Sequence, residues 1–296
     1  MILLKPENSN KLIVVIGLGL IGNAILSRFK KLNCVIQDQQ KVNWEDSSFF
    51  KIEFLNWISG NLNPTIKNLD IVWSAGKSGF GSTEQECLLE NLHFNNFLES
   101  LEELKSKASI DLKILLISSA GALFEGQLGV NYSSKPNPKR PYGFAKLVQE
   151  QLLASKFPNS YCIYRPSSVY GHVQLGKRFG LLSRMVESIY QNTEIKIFGG
   201  ISTLRDFIWV DDVARPIVEN VVLKSYEKNQ IIFLVAAKPT SILEISRLIT
   251  KVTGKRVLYS FQSKLDFTSM SFSNQVKTNP TINLELGIKF IAISNK

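Results

Sequence analysis

Residues Leu12–Ile16 form a short apolar run rich in β-branched side chains. It leads directly into Gly17-Leu18-Gly19-Leu20-Ile21-Gly22, after which Ile21–Leu32 carries helical spacing. A strand that turns through G-x-G-x-x-G into a helix is compatible with few folds. Gly17 permits the tight turn, Gly19 lets the backbone approach a pyrophosphate, and Gly22 lets helix and strand pack closely. The helix start at Leu20 and Ile21 offers free N–H groups and a positive dipole end to phosphates. An acidic residue is expected about twenty positions on, to bind the adenosine ribose hydroxyls. Asp38, closing the strand-like segment that begins at Cys34–Ile36, meets that expectation. A carboxylate there favours NAD over NADP, whose extra phosphate it repels. Gln37 and the basic Arg28, Lys30 and Lys31 keep NADP open.

The same alternation continues. Ile71–Ser74, Ile114–Ser118 and Tyr161–Tyr164 are short apolar runs of the kind a doubly covered sheet buries, separated by helical patterns at Glu84–Leu104 and Tyr142–Ala154. This predicts an α/β fold, a Rossmann-type doubly wound parallel sheet. Beyond residue 170 the pattern loosens. It predicts a helix at Leu181–Tyr190, strands at Ile195–Phe198 and Phe207–Val210, a helix with Asp211 or Asp212 as N-cap, and a strand at Ile231–Val235. A last helix, Ser241–Val252, has Ser241 capping and Glu244 three residues later. Asn131–Arg140 reads as a loop. The expected organisation is a dinucleotide-binding domain over 1–170, with 206–237 returning to it. A small C-terminal α/β lobe for the substrate would come from 171–205 and 238–296.

Tyr142 and Lys146 stand one helical turn apart and so share a helix face. An ammonium held near a phenol favours the phenolate and lowers its pKa, which suits proton transfer near neutral pH. About twenty residues upstream, KILLISSAGALF supplies Ser118 and Ser119, either of which can hold a substrate hydroxyl or carbonyl.

Composition excludes several classes. The formal charge is +10, but the basic residues are scattered in short groups, with no arginine-rich stripe or basic tail. That argues against nucleic acid and fits a field attracting a phosphorylated substrate. Three separated cysteines and two histidines leave no disulfide framework and no metal site, which suits a reducing, cytoplasmic setting. The apolar run after Lys11 is too short to span a bilayer and is explained by the strand and turn, so neither targeting nor membrane association is expected.

In this order, the motifs resemble the extended branch of the short-chain dehydrogenase/reductase superfamily, the NAD-dependent epimerase/dehydratase family. The likeness runs from about Leu12 to Val252. It rests on the glycine turn, DIVWSAG at Asp70–Gly76, Asn91 in ENLHFNN, the serine segment, Tyr142/Lys146, RPSSVYG at Arg165–Gly171, and RDFIWVDDVA at Arg205–Ala214. The resemblance implies that Asp70 helps fix the adenine side and that Ala75 and Gly76 lie under the cofactor, Gly76 replacing the family's alanine. Asn91 and Arg165 would join the cofactor site. Tyr142 would be the general acid/base on a sugar hydroxyl or ketone, Lys146 would lower its pKa and hold the nicotinamide ribose, and Ser119, with Ser118 in reserve, would bind the reacting oxygen. Arg205 would contact the diphosphate of a nucleotide-sugar, and Ser168 stands where many relatives have a diphosphate-binding asparagine. Relatives often form homodimers through two helices per subunit, here Glu84–Leu104 and Tyr142–Ala154.

Departures from the family pattern narrow the chemistry. Ala120-Gly121 replace the acidic pair of sugar 4,6-dehydratases, and Ala120 replaces the cysteine of double epimerase-reductases, so neither reaction is expected. His172 reads as a loop residue near the substrate. The implied activity is a nucleotide-sugar 4-ketoreductase or 4-epimerase, which use the same residues, serving surface-polysaccharide synthesis. The loose serine loop and short substrate lobe tilt toward the ketoreductase. From another class, a non-catalytic NAD(P)-binding sensor or scaffold would share the fold.

Overall fold

The apolar run ahead of the glycine turn is buried at every position because it forms a central strand with neighbours on both sides. A computed structural model describes residues 1–41, 43, 47–171, 180–223, 229–262 and 269–294. The chain opens with β1 (Ile2–Pro6), β2 (Lys11–Ile16), α1 (Leu20–Lys31), β3 (Cys34–Gln39), α2 (Ser47–Asn61) and β4 (Asn68–Trp73). Next come α3 (Glu84–Lys107), β5 (Asp111–Ile117), α4 (Ala120–Leu123), α5 (Pro141–Lys156), β6 (Tyr161–Pro166) and β7 (Ser168–Tyr170). The remainder comprises α6 (Leu181–Gln191), β8 (Ile195–Phe198), β9 (Leu204–Arg205), β10 (Phe207–Trp209), α7 (Val210–Leu223), β11 (Gln230–Leu234), β12 (Thr240–Ser241), α8 (Ile242–Thr253), β13 (Tyr259–Gln262), a 3₁₀ turn (Asn274–Val276) and α9 (Leu284–Ser294).

The main sheet runs β11-β6-β5-β4-β2-β1-β3 and is parallel apart from β1. The doubly wound α/β architecture read from the alternation is therefore present, with one change. No strand was expected before Leu12, yet β1 lies antiparallel between β2 and β3, with Leu3 opposite both Val14 and Asp38. Ile2, Leu3 and Leu4 are buried, so this insertion is a full member of the sheet.

Helices cover both faces. On one, α2, α3 and α5 pack Phe50, Phe54, Phe94, Phe97 and Leu153 around Trp73, whose ring stacks on Phe97 at 4.5 Å. On the other, Ile25 and Phe29 of α1 meet Val213, Ile217 and Val221 of α7. Each such side chain contributes about 1.5–3 kcal/mol on burial. A third apolar cluster joins α6, α8 and α9 through Met185, Val186, Ile245, Ile249, Ile288 and Ile291. In α8 the predicted capping box is present: Ser241 Oγ accepts from Glu244 N, and Glu244 returns a carboxylate to Ser241 N.

Neither Asp211 nor Asp212 is the N-cap of α7, which already begins at Val210. Asp212 is buried and accepts from the backbone N–H groups of Thr281 (2.9 Å) and Ile282 (3.1 Å), latching the chain ahead of α9. Asp206 does similar work, accepting from Ser167 Oγ, Ala236 N and Lys238 N at 2.6–2.9 Å. Much of RDFIWVDDVA is thus architectural. Among the described residues, no helix is long and apolar enough to cross a membrane.

Candidate active site

At the carboxyl end of β2 the chain turns at φ +90° through Gly17, where a Cβ would lie 2.3 Å from the Ala75 backbone. A Cβ on Gly22 would lie 1.9 Å from Gly17 O. Ser74 Oγ, 2.7 Å from that same carbonyl, ties the turn to the end of β4. Gly19 faces open space and is the N-cap of α1. Its helix has no side-chain cap and no acidic residue in its first turn, so the N–H groups and dipole at Leu20 and Ile21 remain available. These features fit a dinucleotide pyrophosphate. The cleft that starts here encloses about 430 Å³ and continues past Ser74, Ala75, Gly76 and Ser78 to Glu90 and His93.

Tyr142 and Lys146 stand beyond Glu90. Pro141 opens α5, where its missing N–H costs nothing, and places Tyr142 in the first turn. Lys146 Nζ lies 5.7 Å from the Tyr142 ring centroid and donates to Glu90 Oε1 (3.1 Å) and Gln149 Oε1 (3.0 Å). Tyr142 is half-buried with its hydroxyl end enclosed. Burial pushes the phenol above its ordinary value; Lys146 and Ser119 oppose this, and the Glu90 carboxylate reinforces it. The lowered pKa expected from Lys146 alone is therefore reversed, chiefly because burial outweighs the ammonium, with the Glu90 carboxylate adding to it. That carboxylate is held down to about 2: burial works against its charge, but Lys146 and Ser78 outweigh it. Burial also opposes the Lys146 charge, yet Glu90 and Tyr142 keep the ammonium above its usual range.

Ser119 caps α4 by accepting from Ala122 N at 3.2 Å and also meets the Tyr142 phenol. Ser118 Oγ is buried without a hydrogen-bond partner among the described residues. Ser119, not Ser118, is the serine that faces Tyr142. Asn91 reaches this cluster through Gln149, whose Nε2 donates to its Oδ1 at 3.0 Å.

A second charged cluster adjoins the first. Arg140 grips the buried Glu125 through Nε and Nη2 at 2.9–3.1 Å. Its guanidinium also lies over Phe80, whose ring is 6.1 Å from Tyr142. Arg205 is 9% exposed. Burial lowers it to about 10, with Glu125 opposing and Arg140 adding, so it stays cationic at neutral pH. Arg140 and Arg205 thus both act on the Glu125 carboxylate. Ser168 is half-buried at the start of β7, its N–H bonded to Asp206 O. His172 lies outside the described residues.

Three expectations require correction. β1 separates Asp38 from β2 by two strand spacings, about 10 Å. Its carboxylate accepts from Trp57 Nε1 (2.7 Å) and Asn61 Nδ2 (3.2 Å), which places it in the packing of α2. Asp70 lies three residues back from the carboxyl end of β4, 1% exposed, and pairs with Lys11 Nζ at 2.7 Å, so it cannot reach an adenine. Arg165 is bound by Glu150 at 3.0 and 2.6 Å and lies against the rings of Phe124 and Phe233, not at the cofactor cleft. Asp38→Asn is accordingly expected to leave the ratio of NAD to NADP affinity unchanged in fluorescence titrations. A shift of about tenfold, worth 1.4 kcal/mol, would return Asp38 to the site.

Glu90, Gln149, Glu125, Arg140 and Phe80 were not singled out in the sequence. The one local signal was Gly76 in place of the family's alanine, beside which Glu90 packs.

The model of the NAD dependent epimerase/dehydratase family matches residues 13–234, from β2 to the end of β11. The chain belongs to that family. Its curated relatives include a putative UDP-glucose 4-epimerase of Methanocaldococcus jannaschii, 31% identical over 199 residues, which cover 63% of this chain and 64% of that one. A UDP-glucuronate 4-epimerase of Thermodesulfobacterium geofontis is 25% identical over 261 residues, or 83% and 78% of the two chains. Among solved structures, UDP-glucose 4-epimerase from Brucella ovis in complex with NAD superposes with a TM-score of 0.75 at 19% identity, covering 96% of this chain and 98% of that one. The family fold thus extends over nearly the whole molecule.

Proposed function

We propose that the protein is an NAD(P)-dependent nucleotide-sugar 4-epimerase. One observation carries this reading: the cleft that begins at the phosphate-binding turn ends at Glu90, whose carboxylate binds the Lys146 ammonium beside Tyr142 and Ser119. The bound dinucleotide supplies the hydride chemistry. Tyr142 exchanges a proton with the sugar oxygen at C4, Ser119 holds that oxygen, and Lys146 fixes the field around the phenol. Arg205 takes the diphosphate, the role its place in the family motif implies. Residues 1–170 with 206–237 hold the dinucleotide, and 171–205 with 238–296 hold the sugar. NAD is favoured over NADP by the family's description, though no longer by Asp38.

The relatives' names favour epimerisation over the ketoreductase tilt read from the serine loop. The proposal extends to a cytoplasmic role in surface-polysaccharide precursors and to a homodimer. Leu88 and Leu92 of α3 and Phe144 and Val148 of α5 are 39–60% exposed, an apolar face for a second copy to cover; a monomeric mass in solution would remove the dimer.

The test is to release whatever nucleotide co-purifies and to incubate the protein with UDP-glucose and UDP-glucuronate. Retained NAD with inversion at C4 is the expected result. An empty site that consumes NADPH with a 4-keto nucleotide-sugar makes it a ketoreductase. Cofactor binding with no turnover on any 4-keto or 4-hydroxy nucleotide-sugar leaves a sensor or scaffold.

A further inference from the structure

Glu90 has no part in the acid–base chemistry above, yet two structural elements converge on it from outside its own helix. Its Oε1 accepts from Lys146 Nζ (3.1 Å) and Gln149 Nε2 (3.3 Å), both on α5. Its Oε2 accepts from the backbone N–H of Ser78 (2.9 Å), in the segment after β4 that carries Phe80 against Tyr142. The side chain is 9% exposed, so water does little to screen the pair.

Room for this carboxylate is made by Gly76. A Cβ at that position would lie 2.8 Å from Glu90 Oε1 and 3.1 Å from Oε2. Gly76 also runs at φ +158°, a backbone conformation that itself favours glycine, and an alanine there would in addition push the carboxylate off Lys146.

Tyr142 is faced by Lys146 from its own helix, by Glu90 and Cys87 from α3, by Ser119 at the head of α4, and by the ring of Phe80. Burial raises the Cys87 thiol, which stays neutral. The charges at the phenol are thus one ammonium and one carboxylate, and they oppose each other. We infer that Glu90 is a positioning residue that holds Lys146 and offsets the charge this ammonium presents to the Tyr142 phenol. The inference rests on Tyr142 being the acid/base. A carboxylate disfavours a nearby phenolate, and an unbalanced ammonium favours it, so removing the Glu90 charge drives the Tyr142 titration downward on both counts.

Glu90→Gln keeps the shape and the acceptor oxygen while removing the charge. Tyrosinate absorbance is followed against pH, with Tyr142→Phe as the blank for the other seven of the eight tyrosines. The Glu90→Gln transition is expected about one unit or more below that of the parent protein, and the pH profile of turnover should move by the same amount. Glu90→Asp, which keeps the charge, should retain the parent titration. Gly76→Ala, which crowds the carboxylate away from Lys146 and also strains the segment after β4 while leaving α3 unaltered, should shift it downward even if Glu90→Gln fails to fold. A parent-like titration in Glu90→Gln or Gly76→Ala, or a Glu90→Asp shift as large as that of Glu90→Gln, overturns the inference. Turnover surviving in Tyr142→Phe overturns the acid/base role of Tyr142 instead, and the absorbance titration still reports on Glu90.

Discussion

Tyr142→Phe is expected to lower turnover by about 10²–10⁴-fold, the usual contribution of a positioned acid/base. The substitution removes one oxygen. The ring keeps its place between Phe80 at 6.1 Å and the Lys146 ammonium at 5.7 Å, so neither the fold nor the cleft should change. The Gly17–Gly22 turn and the open start of α1 are untouched, and cofactor affinity should match the parent protein. Initial rates with a 4-hydroxy nucleotide-sugar, paired with a cofactor titration, separate the two effects. Near-parental turnover would place the proton elsewhere. Ser119, which meets the phenol while capping α4, is then the next group to test.

Lys11→Met is expected to destabilise the protein by about 3–5 kcal/mol, the cost of leaving one member of a buried ion pair alone. Lys11 is 5% exposed at the start of β2, and its ammonium donates to Asp70 Oδ2 and to Val221 O, each at 2.7 Å. It therefore joins β2, β4 and the last turn of α7, where a cation also complements the helix dipole. Burial already raises the Asp70 carboxyl, with Lys11 opposing, and losing Lys11 raises it further. A carboxyl whose folded pKa exceeds its unfolded value contributes stability below the unfolded pKa and loses it as pH rises through the folded one. The Lys11→Met deficit should accordingly be widest near neutral pH and narrow on acidification. Adding Asp70→Asn should recover much of the loss, because no buried charge then stands alone. Urea unfolding of the parent and both variants at two pH values decides it. A loss below 1 kcal/mol, about the worth of an exposed pair, would show that water reaches this pair.

The residues that the structure draws together at the cleft differ in how readable they were. Gly17 and Gly22 announce themselves through a positive φ and a close approach to the Gly17 carbonyl, and Gly19 through the open space it leaves at the helix start. Tyr142 and Lys146 are readable because helical periodicity places them on one face. Ser241 and Glu244 form their box for a similarly local reason. Strand–helix alternation foretold a doubly wound sheet because the buried runs are short and continuous, as a twice-covered sheet demands.

Partners distant in sequence were beyond that reach. Ile2–Pro6 can pair with any exposed strand edge, and only the assembled sheet inserts it between β2 and β3, which moves Asp38 one strand outward. Arg165 carries no mark showing that Glu150, on α5, will claim it. Nor does Asp70 show that Lys11, 59 residues earlier, will neutralise it. The proton affinity of Tyr142 is the sharpest case. Its neighbour four residues on argues for a lowered pKa, whereas burial, with a smaller addition from Glu90, 52 residues earlier and on another helix, raises it. Local chemistry decided the fold class, the phosphate turn and the Tyr142–Lys146 pair. Packing decided which charges meet, because a buried charge takes its properties from whatever the fold brings within a few ångströms, however far apart the residues lie in the chain.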